Sequence, residues 1–134
     1  MALRAAYLAM HRQTDAFLAP LGVTADQFVV LSALSEGDAL SQRELVERTT
    51  SDPNTLRAML VLLERRGLIE RPPHPTDGRA RSVALTAAGR SLYDQIVPEA
   101  LQLEAELEKI LGSGEAKQLE IMLAQLRARV IELR

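Results

Sequence analysis

Apolar residues recur at helical spacing through the first and last thirds of the chain and alternate only in a short central stretch. Leu3, Tyr7, Met10, Phe17 and Leu18 form a stripe that predicts a helix over 3–18, ended by Pro20-Leu21-Gly22. Thr24 and Gln27 have capping-box spacing, which predicts a second helix from Thr24 to about Ser35, with Gly37-Asp38 as the following turn. Ser41 and Glu44 repeat that spacing and open a short helix through Leu45 and Val46. After the turn Thr49-Thr50-Ser51, Asp52-Pro53 places an N-cap acid before proline at the first helical position. The helix it starts runs over 52–66 and stops at Gly67.

Residues 68–71 then read as a short strand, and 81–85 alternate as its antiparallel partner. Thr86 caps a long helix that Pro98, lacking an amide hydrogen, is expected to kink or split. Gly112-Ser113-Gly114 breaks the chain before a final helix with Leu119, Met122, Leu123, Leu126 and Val130 on one face. Helix, turn, second helix, strand, loop and return strand, in that order over 41–89, make a winged helix-turn-helix. The predicted fold is mainly α with a small two- or three-stranded β wing. A single domain over 1–134 is expected, with the winged part at 23–87 and helical dimerisation parts at 1–22 and 88–134.

A length of 134 residues and 47% hydrophobic content suffice for one packed core. With only Tyr7, Phe17, Phe28 and Tyr93 as aromatics, that core must be mostly aliphatic. No cysteine is present, so disulfides, thiolate metal sites and thiol switches are excluded. Arg4 and Arg12 interrupt the N-terminal apolar residues and no run approaches a membrane span, so neither signal peptide nor membrane contact is expected and the location is read as cytoplasmic. The net charge of −2 is unevenly placed: residues 41–90 hold nine arginines against six acids, between acidic ends. A basic centre in an acidic scaffold fits a DNA-contacting module.

On helix 52–66, with residues about 100° apart, Leu56, Met59, Leu60 and Leu63 share a core face. Asn54, Arg57, Ala58, Val61 and Arg65 fall opposite, where a recognition helix meets base edges. Asparagine suits bidentate contact with adenine and arginine with guanine, while Ala58 or Val61 suits a thymine methyl. The plainer alternative for Asn54 is a helix-start residue satisfying local backbone groups; Thr55 is a candidate phosphate contact or simply a polar residue of the first turn, and Ser41 is a further DNA-binding candidate. In the loop Pro72-Pro73-His74-Pro75-Thr76-Asp77-Gly78-Arg79-Ala80, the prolines restrict the chain and Asp77-Gly78 is read as a tight turn aiming Arg79 and Arg81 outward. An arginine on a stiff loop fits a narrow minor groove.

The run Leu63-Glu64-Arg65-Arg66-Gly67-Leu68-Ile69-Glu70-Arg71, the wing Asp77-Gly78-Arg79-Ala80-Arg81, and Leu85-Thr86-Ala87-Ala88-Gly89 together resemble the MarR family of bacterial transcriptional regulators. The resemblance covers nearly the whole chain. It implies an obligate homodimer with interlocked terminal helices, binding a pseudo-palindromic double-stranded operator, usually to repress, and released by a small aromatic or anionic effector. It also implies that Arg79 is the minor-groove arginine and Asp77 the acid that steadies it. One departure is that Arg57-Ala58 stands where the family often has Ser/Thr-Arg, which opens Arg57 to phosphate as well as base contact. The chain is also unlike the family's thiol-oxidation sensors.

The apolar stripes of the terminal helices look too large to bury within one small chain, which agrees with a homodimer. The resemblance places an effector between the dimer helices and the winged part, where Tyr7, His11, Arg12 and Asp15 could supply polar groups. No cofactor or metal is expected, with two well-separated histidines. An enzyme finds no support: no Walker loop, dinucleotide-binding glycine pattern or H-E-x-x-H occurs. The alternative is a winged helix used for protein contact without specific DNA binding, which Ala58 and Val61 favour and the arginines disfavour.

Overall fold

The computed structural model describes residues 1–37, 39–78 and 81–133. The elements follow the order α1 (Ala2–Leu18), a 3-10 turn (Ala19–Leu21), α2 (Ala25–Leu34), β1 (Leu40–Ser41), α3 (Gln42–Thr49), α4 (Pro53–Arg65), β2 (Ile69–Glu70), β3 (Ser82–Leu85), α5 (Ala87–Leu111) and α6 (Ser113–Ile131). This is the mainly helical fold with a small antiparallel wing that the sequence predicts. The chain forms two units, 1–97 and 98–134, with α5 running through the boundary.

The local start and stop signals act as expected. Thr24 and Gln27 bond reciprocally as a capping box, at 3.1 Å each way. Asp52 caps α4 by accepting from the amides of Asn54 and Thr55, both at 3.1 Å. At the other end of α4, Gly67 takes φ 72, the Leu68 amide donates to Leu63 O (3.0 Å) and the Gly67 amide to Glu64 O (2.9 Å). That pair of bonds is a Schellman closure, satisfying carbonyls the helix would otherwise leave open.

The sheet has three strands in the order β1-β3-β2, the larger of the two sizes expected, because Leu40 pairs with Val83 and Ser41 with Ser82; a two-residue strand carries no periodicity to read. Two expectations need correction. The wing strands are shorter than read, Ile69–Glu70 paired to Leu85 and Ala84, with Pro73 and Arg81 meeting as an isolated bridge. Pro98 does not split α5, which runs unbroken from Ala87 to Leu111. A missing amide removes one bond to the carbonyl four residues back, and the turns on either side carry the helix on. The next break is at Gly112 alone, at φ 87, and α6 starts at Ser113.

In unit 1–97 the core is built on one face of α4. Leu56, Met59, Leu60 and Leu63 pack with Val30 and Leu34 of α2, Leu40, Leu45 of α3, Leu68, Ile69 and Val83. The start of α5 is fixed to this core by three groups. Thr86 donates its amide to Leu68 O (3.1 Å) and its hydroxyl to Gly67 O (2.6 Å), while the same hydroxyl accepts from the Gly89 amide (3.0 Å). Gly89 lies so close to the β2 entry that a Cβ there would stand 2.0 Å from Leu68 O. The Leu-Thr-x-x-Gly run is thus a packing device joining α4, β2 and α5.

Unit 98–134 is different: none of its described residues is buried. On α6, Leu119, Met122, Leu123, Leu126 and Val130 remain 39–51% exposed. On α1, Leu3, Tyr7 and Met10 are likewise at least half exposed. No single helix among the described residues is long and apolar enough to cross a membrane.

Gly89→Ala is expected to destabilise the protein by about 1–3 kcal/mol or more, since the new methyl meets backbone rather than a movable side chain. Gly114→Ala, with open space around its Cβ position, is expected to leave stability unchanged or raise it by about 0.5–1 kcal/mol. Thermal unfolding of both variants at one protein concentration checks the contrast; equal midpoints would remove the Gly89 close approach from the account.

Candidate nucleic-acid interface

Burial of Leu56, Met59, Leu60 and Leu63 turns the opposite face of α4 to solvent. Asn54, Thr55, Arg57, Ala58, Val61 and Arg65 are all exposed, as the helical spacing predicts. Capping of α4 is carried out by Asp52, which also receives the Thr55 hydroxyl at 3.4 Å. The Asn54 side chain is therefore not needed as a cap, and its Oδ1 makes only a long contact, 3.4 Å, with Arg57 Nη1. Ser41 is half-buried, its Oγ accepting from the Glu44 amide at 3.0 Å as the cap of α3. In the turn between α3 and α4, Thr50 adopts φ 55, a left-handed conformation uncommon for a β-branched residue.

Between these two helices lies a cleft of about 230 Å³ lined by Gln42, Arg43, Val46, Pro53 and Arg57. Arg43, which the sequence reading passed over, thus shares a surface with Arg57. No periodicity singles it out, because α3 is only two turns long.

Eight of the nine arginines of 41–90 lie among the described residues and separate into two groups. Arg48 pairs with Glu36 (2.8 Å), Arg66 donates to Gly22 O (2.6 Å), and Arg90 donates to Ser35 O (2.9 Å). Arg71, only 17% exposed at its side chain, donates to Gln42 Oε1 at 2.8 Å and lies 3.5 Å from Glu64. Those four are engaged in contacts within the chain. Arg43, Arg57, Arg65 and Arg81 are exposed on the helix-turn-helix and wing. Arg79 and Ala80 lie outside the described residues.

The wing loop has a turn at Gly78, as expected, and a further organising contact at His74. Gly78 is not left-handed, and the loop amides converge on His74, whose Nδ1 accepts from Thr76 (3.2 Å) and Asp77 (3.1 Å). His74 Nε2 stands 2.8 Å from Glu44 Oε1 on α3. The Glu44 carboxyl is held below its ordinary pKa chiefly by this hydrogen bond, with burial opposing and Ser41 assisting. A carboxylate depressed in the folded state contributes stability above its unfolded pKa and loses it as the pH falls through the folded one. The contacts that join His74 to Glu44 and Arg71 to Gln42 escaped the sequence reading, since they span about 30 residues.

The residues considered for an effector converge only in part. The Tyr7 and His11 rings are 5.6 Å apart, and His11 lies 3.3 Å from both Asp15 and Asp26. Asp15 also accepts from the Ala25 amide at 2.6 Å, tying α1 to the start of α2. Arg12 is exposed.

Residues 21–80 match the sequence profile of the MarR family. An HTH-type transcriptional repressor of Mycobacterium tuberculosis is 31% identical over 114 residues, 85% of this chain and 82% of the relative. Among solved structures, a mutant MarR from E. coli complexed with operator DNA superposes with a TM-score of 0.85 at 30% identity, covering 93% of this chain and 90% of the other. BpsR of Bordetella bronchiseptica, whose DNA binding is regulated by 6-hydroxynicotinic acid, gives 0.86 at 31% identity, covering 94% and 90%. Fold, family profile and relatives agree: this chain belongs to the MarR family of transcriptional regulators.

Proposed function

We infer that the chain is a sequence-specific DNA-binding repressor that acts as a homodimer on a pseudo-palindromic operator in the bacterial cytoplasm. The observation that carries this reading is the division of labour on α4. Its leucine face is consumed by the core, while Asn54, Arg57, Ala58, Val61 and Arg65 are left exposed with no structural task that requires them. Asn54 and Arg57 are assigned to base edges or adjacent phosphate, and Ala58 and Val61 to apolar contact. Ser41, Thr55 and Arg65 are assigned to the backbone. The loop 72–80 is assigned to the minor groove, with Arg79 entering it, Asp77 steadying it and Arg81 nearby, as the family resemblance implies. The winged part is placed at 23–87, with 1–22 and 88–134 for dimerisation. Catalysis has no place in this reading, because the sequence holds none of the motifs it would need.

The unburied faces of α1 and α6 support a dimer. Burying a leucine or methionine contributes about 1.5–3 kcal/mol, so several left half exposed favour association. An effector in the family's manner is proposed to act near Tyr7, His11, Arg12 and Asp15. BpsR responds to a small aromatic acid, which supports that class of ligand here. Because His11 and Asp15 already join α1 to α2, a ligand engaging them would act on that corner directly.

Asn54→Ala is expected to relax base preference at one position per half-site by about 1–3 kcal/mol, read by competition between duplexes differing at that pair. Unchanged preference would remove Asn54 from base reading. Arg79→Ala is expected to weaken binding to all duplexes and lower the log–log salt slope by about 1, with dimerisation intact; identical salt titrations would contradict the wing's assignment. Leu126→Glu is expected to convert a dimer into 14.7 kDa monomers in sedimentation equilibrium without unfolding them. A variant that stays dimeric would move the interface off α6.

A further inference from the structure

We propose that His74 is a positioning residue for DNA binding: as its neutral Nε2–H tautomer it fastens the wing loop to α3 and shapes the segment just before Arg79. The proposal rests on the reading of 72–80 as a DNA-contacting wing, and its geometry is self-consistent in one protonation state only. An ionised Glu44 can only accept, so the 2.8 Å contact requires the hydrogen on Nε2. The backbone amides of Thr76 and Asp77 can only donate, so Nδ1 must be a bare acceptor at 3.2 and 3.1 Å. The Thr76 hydroxyl also meets Nδ1, at 3.2 Å. Protonating Nδ1 would set its hydrogen against both amides. The ring is enclosed, with 13% of its side chain exposed, so water cannot readily replace these partners.

The two ring nitrogens therefore do separate jobs. Nδ1 folds the loop onto itself, and Nε2 anchors the folded loop to the helix capped by Ser41. Ser41 and Glu44 thus affect the wing as well as α3. A second tie at the base of the wing, Arg71 to Gln42 at 2.8 Å, runs to the first turn of the same helix. With both ties intact, wing and α3 move as one body, so the wing meets DNA in a fixed relation to the helix-turn-helix. Ordering before contact spares the entropy of ordering on contact.

Two substitutions separate the jobs. His74→Asn puts an amide oxygen near the Nδ1 position and is too short for Glu44. His74→Gln can donate to Glu44 and lacks the acceptor close to the backbone. In the full-length wild type, imidazole nitrogen NMR is expected to report hydrogen on Nε2 and none on Nδ1, with slowed amide exchange at Thr76 and Asp77. His74→Gln should release that protection and His74→Asn should retain it. Each should weaken binding to the duplex that the wild type selects from a random library by roughly three- to tenfold, the scale of one lost hydrogen bond. His74→Ala should weaken it more, with the dimer intact.

A ring hydrogen on Nδ1, or His74→Ala binding that duplex as tightly as wild type, would overturn the proposal while leaving the DNA-binding reading in place. A wild type that selects no duplex would overturn that reading and the wing role together, whatever the tautomer.

Discussion

The fold depends on the burial of one face of α4. Leu56, Leu60 and Leu63 are fully enclosed and Met59 nearly so, and they share one buried cluster with residues of α2, β1, α3, β2 and β3. At about 1.5–3 kcal/mol for each buried side chain, these four account for a large share of any plausible stability for a unit this size. Their burial fixes the rotation of α4 about its axis. Asn54, Arg57 and Val61 then face solvent because the helical repeat leaves them nowhere else to go. The surface proposed to read DNA is in this sense a by-product of the core.

Orientation along the axis is set at the ends. Asp52 caps the start, and Gly67 turns the chain out so that Leu68 can receive Thr86 and lie against Gly89. The close approach at Gly89 carries the start of α5 on the same body as the recognition helix. Beyond Pro98 the chain has apolar faces and none of the described residues is buried, which is why a second copy is proposed to complete it. One winged part per chain and a shared helical part would place two recognition helices about one DNA turn apart, roughly 34 Å.

Most of the helical fold was legible because its signals are local. Thr24 with Gln27, Asp52 before Pro53, and Gly67 each act within four residues, and the α4 faces follow from a single period. What escaped was non-local or balanced between rules. β1 exists only because Val83, over 40 residues away, pairs with Leu40. Pro98 invoked a sound local rule, yet the helix runs on through it from Ala87 to Leu111. The turn at Asp77-Gly78 was legible, but the bonds of the Thr76 and Asp77 amides to His74, and its tie to Glu44, follow from no spacing rule. Counting arginines located a basic centre correctly, but four of the nine are engaged in contacts within the chain, and Arg43 emerged only with the cleft it shares with Arg57.

The most direct test of DNA reading by a symmetric dimer is selection from a random duplex library with the full-length chain, followed by binding across a salt series. The expected outcome is a two-fold symmetric site with half-sites about one helical turn apart, bound with an affinity that falls steeply as salt rises. An enriched site without two-fold symmetry would contradict the dimeric arrangement, and no enrichment would contradict sequence-specific DNA binding.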